Sequence, residues 1–274
     1  MDETVQILRA ELNRAFLVDE PAYQFTVSGR ALAFLGAWDL AAEAFRRAVE
    51  ADANYAEAWA WLGEARQQTG QDGRPQLARA LLLNPQSASV QVLDGLYWLR
   101  QGDPEQAMAA YERAAALEPE NAAWQTALGE AAAASGDLAA AIQYHRRAVE
   151  LAPDDPAAWR ALALFCLENS TDVENTGLVA ARHLLELAPD DWLTYDIAGR
   201  VAVILVAYAE AEAHLTKAIE LAPQEAASHY HLALAYLESG QAVLAYDKLQ
   251  DTLGLDPDGP YGWQAQRLLE QYFP

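Results

Sequence analysis

Six Leu-x-Pro tripeptides recur down the chain: Leu83-Asn84-Pro85, Leu117-Glu118-Pro119, Leu151-Ala152-Pro153, Leu187-Ala188-Pro189, Leu221-Ala222-Pro223 and Leu255-Asp256-Pro257. Successive prolines are 34, 34, 36, 34 and 34 residues apart, and a degenerate copy, Ala51-Asp52-Ala53, ends 32 residues before the first. A fixed period of this length marks stacked supersecondary units, none of which can bury its apolar face alone. Contacts then run between neighbours, so the usual estimate of domain number from chain length does not apply.

Aligned on the proline, each unit reads as packing instructions. Six residues after it stands a large side chain in most copies: Phe25, Trp59, Trp159, Tyr195, His229 and Trp263. Ten after it stands a small one: Gly29, Gly63, Gly95, Gly129, Ala163, Gly199 and Ala233. Gly36, Gly70, Gly102, Gly136 and Gly240 follow at a turn. Twelve before the next proline another small residue recurs (Ala41, Gly73, Ala107, Ala141, Gly177, Ala211, Ala245), and eight before it a bulky one (Phe45, Leu77, Tyr111, His145, Leu215, Leu249). This spacing predicts a helical hairpin. Two amphipathic helices of about a dozen residues are separated by a glycine at positive φ, and small residues let the two backbones approach. The proline ends the second helix, and Asp154-Asp155 and Asp190-Asp191 cap the helices that follow.

The run Trp59 to Gly63 (Trp-x-x-Leu-Gly), the small and aromatic residues of the second helix and the closing proline resemble the tetratricopeptide repeat. The resemblance covers seven units. It implies an all-α, right-handed superhelical solenoid forming a single domain over 1–274: an N-terminal helix in 1–21, repeats in 22–258 and a C-terminal capping helix in 259–274. It also implies that first helices line a concave groove and second helices lie outside. Glu3 to Val18 reads as the N-terminal helix with Val5, Leu8, Leu12 and Phe16 on one stripe. Tyr261 to Phe273 reads as the cap, covering the last edge with Trp263, Leu268 and Leu269. Three departures stand out. The second unit is two residues short near Asp72-Gly73-Arg74-Pro75, the fifth is two long across the polar run 168–175, and the sixth has Val206 at the turn glycine.

Eighteen Lys and Arg against 40 Asp and Glu give a net charge of −22. Such a surface repels phosphate backbones and anionic membranes, so neither nucleic acid nor membrane insertion is expected. The acidic start, Met1-Asp2-Glu3-Thr4, lacks the basic and apolar segments of a leader, and no run reaches the ~20 apolar residues of a span. A cytoplasmic protein is the expectation. A lone cysteine, Cys166, excludes an internal disulfide and reads as an inert core thiol.

The chain shows no Gly-rich phosphate loop, nucleophile elbow or zincin motif, so neither catalysis nor a cofactor or metal is expected. His229 and His231 lie about 200° apart around a helix and cannot share a ligand; His145 fills a slot used elsewhere by Phe, Tyr or Leu. Arg46-Arg47 and Arg146-Arg147 read as outward residues, with Glu43–Arg47 and Arg146–Glu150 as helical pairs. What remains is the groove. Its inward candidates include Glu64, Leu96, Glu130, Asp196 and Leu237, together with the residues expected to contact a partner: Arg30, Arg100, Arg160, Leu164, Leu167, Arg200, Val203, Ile204, Tyr230 and Leu234. These suit a partner protein or peptide carrying apolar and acidic groups, with bidentate arginine contacts. The opposing reading has the arginines satisfied internally: Arg200 by Asp196, Arg160 by Asp196 and Arg30 by Glu64. The Lys/Asn clamp by which relatives hold chaperone tails is missing, the corresponding pairs being Thr26/Arg30, Ala60/Glu64, Val92/Leu96 and Thr126/Glu130. The function implied by the resemblance is a non-catalytic interaction adaptor. A second reading is self-association through the apolar sixth unit or the C-terminal helix.

Overall fold

A computed structural model describes residues 9, 10 and 12–274. Among them it contains helices and turns and no strand. The chain folds as two compact units, Met1–Asp137 and Leu138–Pro274.

After helical residues that end at Ala15, the first unit holds three hairpins and one further helix: α1 (Pro21–Phe34) with α2 (Trp38–Ala51), α3 (Ala56–Gln68) with α4 (Arg74–Leu83), α5 (Ala88–Arg100) with α6 (Pro104–Leu117), then α7 (Ala122–Ala134). The second begins with α8 (Leu138–Leu151). Three hairpins follow, α9 (Pro156–Glu168) with α10 (Leu178–Leu187), α11 (Trp192–Ile204) with α12 (Tyr208–Leu221) and α13 (Ala226–Glu238) with α14 (Ala242–Leu255), and α15 (Pro260–Tyr272) closes the unit. Within each unit every first helix touches the next first helix, whereas no two second helices are in contact among the described residues. First helices therefore form the tighter layer.

The small and bulky positions read from the sequence meet inside the hairpins. A methyl group added to Gly29 would sit 2.5 Å from the Phe45 ring, and one on Gly95 would sit 2.4 Å from Tyr111. The helices approach so closely that a ring replaces a side chain. Phe45, Leu77, Leu215 and Leu249 are fully buried and Tyr111 is nearly so, each contributing about 2–3 kcal/mol of burial. The large residue six after the proline has a polar task. Trp59 Nε1 donates to Ala53 O at 2.9 Å, Gln91 Nε2 to Pro85 O at 2.7 Å and Trp159 Nε1 to Pro153 O at 2.7 Å. His229 Nε2 lies 3.2 Å from Pro223 O in the same way. Each ties a first helix to the carbonyl that precedes it, where the proline-ended turn leaves acceptors unpaired.

Caps and turns follow the expected chemistry. Asp155 and Asp191 accept from Ala157 N at 2.9 Å and Leu193 N at 3.1 Å. The five turn glycines take φ from 73° to 87°. Val206 takes the same conformation at φ 60°, its N–H donating to Val203 O and that of Ala207 to Ala202 O. A β-branched residue is strained there. The long fifth unit absorbs its extra residues as a single π-helical turn, Val173–Gly177, entered through Asp172 at φ 50°.

Several expectations are corrected. Phe16 is two-thirds exposed, because the helix gives way to a turn after Ala15, and Ala15 is buried instead; Val5 and Leu8 lie outside the described residues. Trp263 is 65% exposed, because α15 packs through Tyr261, Gly262, Ala265, Leu268 and Leu269, and its next-door position points away from that stripe. Arg146 does not pair with Glu150. It donates to Asp172 at 3.0 Å and Thr176 at 2.7 Å, fastening the π turn, while Glu150 pairs with Arg147. Glu43 does pair with Arg47, and with Arg46 as well, which holds its carboxyl far below the usual range, at about 2. Cys166 is fully buried and burial pushes its thiol up to about 11, as suits an inert core residue.

Candidate functional site

Helix α11 presents Arg200, Val203 and Ile204 along one face, spaced at three to four residues, and α13 presents Tyr230 and Leu234 four apart. These five side chains, with Leu167 at the end of α9, His231 and Gln264, enclose a cleft of about 290 Å³. Six of the ten partner-contact candidates read from the sequence thus surround one space. Leu167 and Tyr230 are buried, Val203 and Leu234 half-buried, and Ile204 stands 47% exposed at the rim. Burial raises the Tyr230 hydroxyl above its ordinary value, so it is a neutral donor and acceptor at pH 7.

The charges differ from those expected. Arg200 lies four after Asp196 but forms no ion pair with it. Asp196, 1% exposed, instead accepts a hydrogen bond from Ser228 Oγ at 2.9 Å and lies 2.9 Å from His231 Nδ1. Half-buried and lining the cleft, Arg200 has no carboxylate partner among the described residues. Arg160 pairs with Asp191, the cap of α11, and not with Asp196. In the first unit Glu64, 2% exposed, is gripped by Arg100 through two hydrogen bonds of 2.6 and 2.7 Å. The partner of Glu64 is therefore Arg100 one repeat further on, while the guanidinium of Arg30 lies 5.9 Å from the Trp61 ring centre. Leu164 is half-buried and does not line the cleft.

His231 and Gln264 escaped the sequence reading. The two-residue spacing of His229 and His231 correctly sends them to opposite sides of α13, and it also implied that one of them faces inward beside Tyr230. Gln264 comes from the closing helix, whose rotation the sequence left ambiguous. A larger cavity, about 580 Å³, is bounded by Arg146, Trp159, Leu162, Val179, Arg182 and the π turn. Two of its walls are already committed: Arg146 to Asp172 and Thr176, and Trp159 to a stack on His183 at 4.1 Å. Among the described residues no group of three or more His, Cys, Asp or Glu is placed to hold a metal ion, and no helix is long and apolar enough to cross a membrane.

A family model described as tetratricopeptide repeat matches residues 65–116, 95–156 and 207–260, together just over half of the chain. No curated protein sequence matches. Solved structures do. A chain of the APC/C hetero-tetramer Cut9–Hcn1 superposes with a TM-score of 0.66 at 19% identity, covering 98% of this chain and 55% of that one. Yeast Tom70 gives 0.68 at 16% identity, covering 97% and 58%. YrrB, described as a TPR protein with an unusual peptide-binding site, gives 0.51 at 16% identity, covering 70% and 97%. The chain spans little more than half the length of the Cut9–Hcn1 and Tom70 chains it matches. At these identities the likeness is one of fold, an all-helical repeat solenoid.

Proposed function

Because this chain belongs to the tetratricopeptide-repeat family, we propose that it is a non-catalytic adaptor that binds another protein, seating a segment of that partner in the cleft between α11 and α13. The carrying observation is Arg200, a half-buried cation without a carboxylate, set among Leu167, Val203, Ile204 and Leu234. A cation left unpaired at an apolar opening favours a partner with an acidic group flanked by aliphatic side chains. Peptide binding by YrrB supports the class of ligand. Arg100 and Arg160 support folding in this reading, since their charges are met by Glu64 and Asp191.

Selection of a random peptide library on the immobilised full chain tests the proposal. Enriched peptides are expected to combine Asp or Glu with Leu or Ile. Ile204→Asp and Leu234→Asp should lose them while keeping the helical circular dichroism. Enriched peptides that bind both variants unchanged would remove the cleft from the account.

Self-association is the second reading, favoured by the exposure of Trp263 (65%) and Tyr272 (55%) on the closing helix. The net charge of −22 opposes it. Light scattering across concentration separates the two, and a monomer at the highest concentration ends the second.

A further inference from the structure

The cleft contains a polar relay that its apolar walls do not require. Asp196 is sealed from solvent, and its carboxylate receives Ser228 Oγ and His231 Nδ1. A carboxylate offers lone pairs and no proton, so Nδ1 carries a proton, and in the neutral ring Nε2 is the acceptor. Nε2 on the opposite edge makes no hydrogen bond and is not sealed, and the ring lines the cleft. Tyr230 and Tyr261 approach it edge-on, with centroids 5.7 Å away in both cases, and limit its rotation. Ser228 and Asp196 thereby fix both the angle and the tautomer of the imidazole, as outer partners do for working histidines.

We infer that His231 is a specificity-determining residue of this cleft. Its bare Nε2 accepts the backbone N–H of an acidic partner residue whose carboxylate binds Arg200, so the site reads an acidic residue within a peptide and rejects a free anion. The inference rests on the cleft reading above. Rejection follows from the lone pair at Nε2, which repels an anion that brings no donor of its own. The aliphatic walls then hold the neighbouring side chains.

The probe is N-acetyl-Leu-Glu-Leu-amide, compared with the same peptide N-methylated at the glutamate nitrogen and with free acetate, on the full-length protein. Nitrogen-15 imidazole spectra should show His231 protonated at Nδ1. Titration with the first peptide should shift the methyl signals of Leu167, Val203, Ile204 and Leu234. N-methylation should weaken binding about tenfold, the worth of one hydrogen bond, and acetate should leave the signals in place. These readouts use the wild-type chain, so no variant has to fold. An Nε2-protonated ring, or methylation changing affinity less than about twofold while the methyl signals still respond, overturns the inference and leaves the cleft reading standing. Methyl signals that ignore both peptides overturn the two together.

Discussion

In Met1–Asp137 each buried carboxylate of a first helix meets an arginine: Glu64 meets Arg100 at 2.6 Å, and Asp94 meets Arg74 at 2.6 Å and Arg113 at 3.8 Å. In Leu138–Pro274 the buried carboxylate Asp196 is held by a hydroxyl and an imidazole, and Arg200 on its own helix turns to the cleft. The bulky slot of the second helices holds Phe45, Leu77 and Tyr111 in the first unit and Leu215 and Leu249 in the second, but α8 of the second unit puts His145 there, with Nδ1 buried and unpaired. The turn glycine is present throughout the first unit and is replaced in the second by Ser170 at φ 49° and Val206 at φ 60°, where Gly240 keeps the rule. The same hairpin physics thus builds both halves, while the exceptions at the bulky slot and the turn lie in the half that carries the Arg200 cleft. Repeats tolerate them because each contact is local.

The largest effect should come from emptying the bulky slot where it obeys the rule. Tyr111→Ala is expected to lose about 4 kcal/mol, since the Gly95 backbone it packs on cannot follow it inward. Urea denaturation measures this, and a loss under about 1 kcal/mol would mean the slot is not the keystone of the hairpin.

The matching exception, His145, should make stability depend on pH. Burial lowers its imidazole from 6.5 to about 4. Between those values the unfolded chain takes a proton that the folded chain refuses, so stability is full above pH 6.5 and falls as pH drops toward 4. The total is roughly 3 kcal/mol. His145→Phe should abolish that loss. Denaturation curves of both proteins from pH 7 to 4 check it, and a difference that stays constant with pH would acquit His145.

Smaller still is the turn. Val206→Gly should gain about 1 kcal/mol by relieving the left-handed strain, and Gly102→Val should lose about as much. Thermal midpoints moving in the same direction for both substitutions would show that the two turns are not equivalent.

Most of the hairpin was legible in the sequence because its determinants are local. Gly29 and Phe45, or Gly95 and Tyr111, are sixteen apart in every regular copy, and such spacing specifies a contact once the period is known. The cleft residues on α11 and α13 were legible for the same reason. Ion pairing was not. Asp196 and Arg200 satisfy the four-residue rule, yet their chains diverge because Ser228 and His231 arrive from the next first helix. Arg100 reaches back 36 residues to Glu64. Choices between repeats depend on how far one helix slides along another, at 1.5 Å per residue, and a spacing rule within one helix does not contain that offset. The π turn was hidden similarly: an insertion of two residues announces extra chain, and only the packing of Val173 and the grip of Arg146 decide its shape.

Equilibrium denaturation of Arg100→Leu and Arg200→Leu, side by side, probes the contrast between structural and available arginine most directly. Arg100→Leu strands the buried Glu64 and should lose about 3 kcal/mol, while Arg200→Leu should stay within about 0.5 kcal/mol of the parent. Equal losses, or a larger loss for Arg200→Leu, would show that Arg200 is part of the framework and contradict its assignment to a partner.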